Sequence, residues 1–474
     1  MKFSECFGIT KTEKDEWFDP ILNVDSKLFI DPFLVYSQSM SGFEGSHDEI
    51  ISIFNKAYSL IARVSGNKES NFWKKAESIL VFREAQEFCI GFASEGNPGS
   101  GTGRGFALLM CEAILEAIEA GLENVSHFEE IGILREGIGA DRISDITASI
   151  LRHRFALYTT SICEHYGVPV KKLRYDHGIF DSVYTRWMPL DVSLPVNPFN
   201  NVPILLTPAI YLRDLPTISA DTFWGYCRDN ENEVLRADFN YDLGQSIKKS
   251  DIIEFARRHP EIRAKYISSI ENQKPDPYDM SKDRNGVIGW YDSSKEYCGN
   301  APITVGFSNE EEFIEVINNI LDEFRNYVEN NGGWKLLWND DLTSKREEAS
   351  QFLMQGVIKF WCQANNIDLS REVNIGRGPV DFKMSTGVQF RSLLELKLAR
   401  NSRFWNGLTK QLPKYMEAEG VSIGYFVAVL TNEKDSEKMS EIQSIVDEVN
   451  AATGYTIKPY FIDATRDKPS ASKL

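Results

Sequence analysis

The sequence predicts an α/β protein: a C-terminal core in the order α-β-β-β-α-β, joined to a separate mixed α/β N-terminal region. From residue 345 onward, apolar runs of strand length alternate with segments of helical periodicity. Thr386-Gly387 separates two of the runs, as a turn between antiparallel neighbours would. The length of 474 residues exceeds what one core of ~250–300 residues accommodates, so we expect more than one domain.

Residues 1–271 form the predicted N-terminal region. Strand and helix patterns alternate in it. We predict strands over 27–36 and 202–212, and helices over 51–64, 106–122 and 144–167. Residues 272–302 are rich in Pro, Asp, Ser and Gly and are predicted to be a linker. Residues 303–474 are then a second domain, which a capped helix opens at residues 308–311.

The elements of the C-terminal core follow one another closely. A helix is predicted first, and three strands come after it. A second helix, a strand, a third helix and a last strand complete the domain. The predicted ranges are, in order, 345–362, 371–375, 379–385, 392–399, 405–418, 423–430, 436–450 and 455–462.

Three charged residues on two of these strands are the candidate site. Asp381 precedes Glu395 by fourteen positions, and Lys397 follows two positions later. Side chains alternate along a strand, so Glu395 and Lys397 project to one face. Charges on a buried strand are costly unless something compensates them, and oxygen ligands around Mg²⁺ would do so. Lys397 could then orient or deprotonate a water, or neutralise charge that develops on a phosphate.

This pattern resembles the motif of the PD-(D/E)xK nuclease superfamily, the fold of many restriction endonucleases. Val380-Asp381 stands in place of Pro-Asp, and Glu395-Leu396-Lys397 is the E-x-K. Gln411, with Tyr415 four positions on, is similar to the Q-x-x-x-Y element of RecB-type members, which lines the site. The resemblance implies a restriction-endonuclease-like core in which Asp381 and Glu395 bind Mg²⁺, with Mn²⁺ as a substitute, and Lys397 is catalytic.

Members of this superfamily carry an additional acid on the preceding helix. Ser344 and Glu347 form a capping-box pattern, in which Glu347 would reach back to the Ser344 amide. That leaves Glu348 as the carboxylate expected to face the site and to join the metal ligands. Glu347 remains the alternative, because helix starts read from sequence err by a few residues.

The resemblance implies a magnesium-dependent hydrolase of phosphodiester bonds, either an endonuclease or an exonuclease. DNA is the expected substrate because it is the commonest in the superfamily, and no residue excludes RNA. Restriction or antiviral defence against phage is the expected setting, with residues 1–271 controlling or targeting the nuclease. A homodimer or a partner protein of a defence system is expected. The alternative is an inactive nuclease fold that binds nucleic acid or a partner.

Charge and composition bear on the expected binding partners, metal content and location of the protein. A formal net charge of −17 argues against bulk coating of nucleic acid, yet residues 371–415 hold nine Lys and Arg against three acids. A solvated basic face is the alternative explanation of that surplus. The seven cysteines are scattered singly, which favours reduced thiols over a zinc site. No apolar span or signal peptide is present, so a cytoplasmic location is predicted.

Two N-terminal motifs bear on an alternative function for the protein. The glycine-rich run at residues 96–105 precedes a helix, as phosphate-binding loops do, but lacks the G-K-[ST] of a P-loop. A tightly packed loop is the other interpretation, and a nucleotide-responsive regulator would depend on Gly101 and Arg104. At residues 137–145, Asp141, Arg142 and Asp145 are expected to cap and pair at a helix start.

Overall fold

A computed structural model describes most of the chain, and the protein divides into two compact units. The first unit ends at Tyr278 and the second begins at Asp279. No helix in the described ranges is long and apolar enough to cross a membrane. The described residues are 1–64, 67–82, 85–91, 102–122, 125–231, 234–235, 238, 248–300, 306–339, 342–374, 379–386 and 389–466.

The N-terminal unit is mainly helical. The predicted helices are confirmed, and the third is divided at Leu151 into two. Short 3-10 turns occur at Gln86–Phe88, Phe128–Glu130 and Ala209–Tyr211. The α-helices are Phe3–Cys6, Pro32–Ser37, Ser46–Ile61, Asn71–Ile79, Thr102–Glu119, Ile131–Leu134, Ala140–Ile150, Arg152–Tyr166, Ala220–Asn230, Lys249–Arg258 and Pro260–Gln273.

The two strands predicted in this unit are wrong over most of their length. Only Phe29–Ile30 and Leu212–Arg213 pair with each other. The chain turns into a helix at Pro32–Ser37 because Asp31 accepts a hydrogen bond from the Phe33 amide and Pro32 is preset for a first helical turn. Local capping therefore overrides an apolar run that reads as a strand.

A long hairpin was not predicted. Lys171–Asp181 pairs antiparallel with Arg186–Leu194. Its turn is fixed by the Asp181 carboxylate, which accepts from the amides of Val183 and Tyr184. An Asp two and three positions before such amides is a turn signal, and it was available in the sequence.

The two N-terminal motifs have different outcomes. Residues 96–101 of the glycine-rich run lie outside the described residues. At the second motif the N-cap is Gly139, so the expectation that Asp141 caps the helix is wrong. Arg142 instead donates to the Gly137 carbonyl at 2.6 Å and lies over the Phe106 ring. Arg142 therefore stabilises the start of this helix through these two contacts.

A cluster of titratable side chains surrounds His127 in the N-terminal unit. His127 is fully buried, and its ring contacts those of His47 and Tyr36. The His127 Nε2 lies 3.1 Å from the Glu271 carboxylate. The adjacent Glu130 is buried as well, and burial raises the pKa of its carboxyl to about 7. No spacing pattern in the sequence predicts this cluster.

We expect Glu130→Gln to remove a pH dependence from stability. The folded state holds the Glu130 proton more tightly than the unfolded chain, whose pKa is near 4.5, so stability falls as pH rises from there towards about 7. Relative to the variant, the wild-type free energy of unfolding should decline by about 2–3 kcal/mol across that window. Urea unfolding at both ends of it measures this, with exposed Glu136→Gln as control. The same change in the free energy of unfolding with pH in wild type and in Glu130→Gln would contradict this prediction.

The C-terminal unit is a five-stranded sheet with helices packed against it. A helix, α1, lies within the segment predicted to be the linker. The other predicted elements of this unit are confirmed with small shifts at their ends, except for the helix predicted over 405–418. There a short helix, Phe404–Asn406, leads into a π-helical stretch, Gly407–Gln411, and the longer α-helix begins only at Leu412. The helices are α1 (Gly289–Asn300), α2 (Glu310–Asn330), α3 (Glu347–Ala364), α4 (Leu412–Glu419) and α5 (Ser436–Thr453), and the strands are β1 (Asp368–Asn374), β2 (Pro379–Ser385), β3 (Arg391–Leu398), β4 (Ile423–Leu430) and β5 (Thr456–Asp463).

The strands lie in the order β1-β2-β3-β4-β5. The pairs β1–β2 and β2–β3 are antiparallel, as predicted for β2 and β3, whereas β3–β4 and β4–β5 are parallel. Both parallel connections contain a helix, as such crossovers require. The central strand β3 is buried over nearly all its length, so its two charged residues lie inside the unit.

Helix α3 is held close to α1. A Cβ on Gly356 would lie 2.4 Å from the Trp290 ring and 2.5 Å from the Ser294 hydroxyl, so only glycine allows this approach. Helix α3 also packs against β1 and β3. The first turn of α3 is thereby fixed beside the end of β3.

Candidate functional site

Four charged side chains converge at the end of β3. Glu395 and Lys397 project from the same face, as the alternation predicts, and the Lys397 ammonium lies 2.9 Å from the Glu395 carboxylate. Asp381 of β2 is 3.6 Å from the same nitrogen, and Glu347 of α3 is 3.1 Å away. We refer to Glu347, Asp381, Glu395 and Lys397 as the carboxylate–lysine cluster.

Asp381 occupies the point where β2 and β3 separate. The paired register ends at Phe382 and Leu394. Beyond it, the Asp381 carboxylate accepts the Leu396 amide at 2.7 Å and the Gln351 side-chain amide at 2.9 Å. These two bonds orient the carboxylate towards Lys397. Gln351 of α3 is therefore a positioning residue for Asp381.

The choice of Glu348 over Glu347 needs correction. The predicted capping box does not form, because α3 begins at Glu347 with Arg346 as its N-cap and no side-chain cap. Glu347 instead accepts from the Leu398 amide at 3.0 Å and the Asn401 side chain at 2.8 Å, and it contacts Lys397. The acid that α3 contributes to the cluster is therefore Glu347.

The cluster is electrostatically coupled. Burial raises the pKa of Glu395, and the neighbouring Asp381 carboxylate raises it further. Burial alone would lower the pKa of Lys397, but Asp381, Glu395 and Glu347 outweigh that effect and raise it. Lys397 is therefore a cation at neutral pH, which suits it to stabilise negative charge and makes it a poor proton acceptor.

The residues present fit a divalent cation in their chemistry. Oε2 of Glu395 is buried and has no hydrogen-bond partner among the described residues. An oxygen left in that state is costly, and a hard cation would satisfy it. Asp381 and Glu395 are the side chains that would hold such an ion, with Glu347 near them. In the described residues, no His, Cys, Asp and Glu group is already arranged as a metal site.

Gln411 and Tyr415, the two residues of the predicted Q-x-x-x-Y element, differ in their surroundings. Tyr415 is buried, and its pKa is raised by burial and by the charges of Glu395 and Asp381, so it lies near the cluster. Gln411 ends a π-helical stretch, Gly407–Gln411, and its Oε1 is buried without a partner in the described part of the chain. Among the described residues, no group of the cluster donates a hydrogen bond to that oxygen.

Gly407 in the same stretch packs directly on the lysine. A Cβ at this position would lie 3.1 Å from Lys397 Cγ and 3.3 Å from its Cε. The side-chain stem of Lys397 is therefore confined between the sheet and this helix. Such confinement keeps the ammonium in place.

The positive surplus of the sequence is partly neutralised in the fold. Lys383 and Arg391 both pair with Glu419, at 2.6 and 3.7 Å. Phe404, within the same basic segment, is buried in the core. Four cations on the segment that follows β3 are exposed and could meet a phosphate backbone: Arg400, Arg403, Lys410 and Lys414.

Comparisons with known proteins place this site in a family model without a stated activity. A domain of unknown function (DUF8370) matches residues 8–219. A second domain of unknown function (DUF8371) matches residues 313–433, a range that contains the whole carboxylate–lysine cluster. No curated protein and no solved structure matches the chain.

Proposed function

We propose that the C-terminal unit is a metal-dependent nuclease of the PD-(D/E)xK type with a restriction-endonuclease-like core. The observation that carries this proposal is the carboxylate–lysine cluster itself. An Asp and a Glu-x-Lys from neighbouring strands meet around one ammonium, with an acid from the preceding helix. The element order and the change from antiparallel to parallel pairing at β3 also agree with such a core.

The residues have separable roles in this proposal. Asp381 and Glu395 would hold Mg²⁺ or Mn²⁺, which supplies Lewis-acid stabilisation of a scissile phosphate when bound. Lys397, held cationic by its neighbours, neutralises charge that develops on the phosphate and positions the attacking water. Glu347 orients Lys397 through their ion pair, and the Leu398 amide and Asn401 orient Glu347.

DNA is the proposed substrate, and restriction or phage defence in the cytoplasm is the proposed setting. The exposed cations that follow β3 supply the contacts a phosphate backbone needs. The N-terminal unit would control or target cleavage. A homodimer would provide the two sites that symmetric duplex cleavage uses.

The test is cleavage of plasmid, linear duplex DNA, single-stranded DNA and RNA by the full chain with Mg²⁺, Mn²⁺ or EDTA. Metal-dependent cleavage supports the proposal and identifies the substrate. Absence of cleavage together with absence of metal binding by calorimetry would overturn it. A nuclease fold that only binds nucleic acid would then be indicated if the chain still retained labelled DNA.

Glu347 and Glu348 provide a matched pair of variants. We expect Glu347→Gln to slow cleavage by about 10–100-fold, because Lys397 loses one of its three carboxylate partners. Glu348→Gln changes an adjacent carboxylate in the same helical turn and should stay within about threefold of wild type. Initial rates at saturating Mg²⁺ measure both. A greater loss in Glu348→Gln would restore the assignment made from sequence.

A further inference from the structure

A cavity of about 320 Å³ lies at the carboxyl ends of the parallel strands. Arg400 follows β3, Thr431 follows β4, and Arg466 follows β5, and all three line it. Open α/β sheets bind ligands at this edge. The volume is at the lower end of the range for small-ligand sites, about 300–1,000 Å³.

Two guanidinium groups are held in place on the cavity wall. Arg400 donates to the backbone carbonyls of Ser344 and Lys345, at 3.2 and 2.8 Å. Arg466 lies over the Trp338 ring at 5.9 Å, and the Trp338 indole is itself fixed by a hydrogen bond to the Ala464 carbonyl. Two positioned arginines in one cavity suit a phosphate group.

The remaining lining is partly apolar and includes an unsatisfied hydroxyl. Leu342 contributes an apolar side chain that is 59% exposed, and Trp338 contributes an aromatic face. Thr431 is 4% exposed, and its Oγ1 has no hydrogen-bond partner within the described ranges. Glu433 also lines the cavity, so the site is not uniformly cationic. This mixture fits a ligand with both a phosphate and a planar ring.

The cavity adjoins the carboxylate–lysine cluster along two short segments. Ser344, which lines it, lies three residues before Glu347 of the cluster. Arg400, which also lines it, is followed by Asn401, whose side chain donates to Glu347. A group bound in the cavity would therefore lie next to a phosphodiester at the cluster.

The geometry points to a nucleotide subsite for the substrate strand. One unstacked nucleotide beside the scissile bond would place its phosphate between Arg400 and Arg466 and its base or sugar against Trp338 and Leu342. This inference rests on the proposed nuclease function and deepens it, because a cavity for one splayed nucleotide favours a single-stranded or frayed segment over an intact duplex.

The test is fluorescence-polarisation binding of a labelled single-stranded oligonucleotide to the full chain in Ca²⁺. We expect Arg466→Ala and Trp338→Ala each to weaken binding by about tenfold, with Arg466→Lys intermediate. Arg325→Ala is the matched control, because Arg325 also lies 5.9 Å over an aromatic ring, that of Tyr460, and does not line the cavity. Circular dichroism verifies the fold of each variant.

The outcomes separate the two proposals. Unchanged affinity in Arg466→Ala and Trp338→Ala would overturn the subsite, and cleavage by wild type would still support the nuclease. Displacement of the probe by inorganic phosphate as effectively as by a 5′-phosphorylated dinucleotide would reduce the cavity to an anion site and overturn the nucleotide assignment. A wild-type chain that neither binds nor cuts nucleic acid would overturn both proposals.

Discussion

Lys397→Ala should abolish metal-dependent cleavage, with a loss of about 10²–10⁴-fold in rate. The ammonium is the point on which Asp381, Glu395 and Glu347 converge, and its raised pKa keeps it charged at neutral pH. No other cation of the described chain pairs with Glu395 or Glu347. Plasmid cleavage with Mg²⁺, measured over a wide range of enzyme concentration, gives the size of the loss.

Two further variants make this prediction specific. Lys397→Arg keeps the positive charge but replaces the compact ammonium with a larger, planar guanidinium. We expect this variant to be nearly as inactive as Lys397→Ala. Lys383→Ala removes a lysine from the neighbouring strand β2, where its partner is Glu419, and should cleave within about threefold of wild type. Substantial cleavage by Lys397→Ala would contradict the assignment of Lys397 to the reaction.

The second large effect is on metal-dependent stability. A ligand that binds only the folded state at a hundred times its dissociation constant stabilises by about 2.7 kcal/mol, or a rise in Tm of roughly 5–10 °C for a unit of this size. We expect Mn²⁺ to produce such a shift in wild type and none in Glu395→Gln. The variant itself should fold, because Gln is close to Glu in shape and places no charge at this buried position.

Differential scanning fluorimetry with and without Mn²⁺ measures this shift. Asp381→Asn should also lose the metal response, while Glu348→Gln should retain it, since the structure assigns the acid of α3 to Glu347. A wild-type shift that persists in both Glu395→Gln and Asp381→Asn would place the metal elsewhere in the chain.

The C-terminal unit was largely predictable because its signals are local and agree with one another. Strand β4 is an uninterrupted apolar run, and its predicted limits are those observed. The same-face placement of Glu395 and Lys397 follows from strand alternation alone. Glu347 could be kept only as the alternative to Glu348, because a capping box and a site residue present the same sequence and only the helix start distinguishes them.

The N-terminal unit was less predictable for a different reason. Its short strands depend on pairing across the chain, Phe29 with Arg213 and Ile30 with Leu212, so no local pattern marks their ends. Its buried cluster unites His47, His127 and Glu271 from distant segments. Contacts between residues so far apart in the sequence produce no local periodic pattern from which they could be predicted.

The pairing of β3 also sets an order of events during synthesis. All four residues of the cluster lie within residues 347–397 and have been synthesised once Lys397 is added. Strand β3, however, pairs with its second neighbour only after Ile423–Leu430 has been made. That strand in turn pairs with its second neighbour only after Thr456–Asp463 has been made. At about 5–20 residues per second, this is a delay of seconds. The strands that flank the carboxylate–lysine cluster are thus completed last, after the whole N-terminal unit has been synthesised.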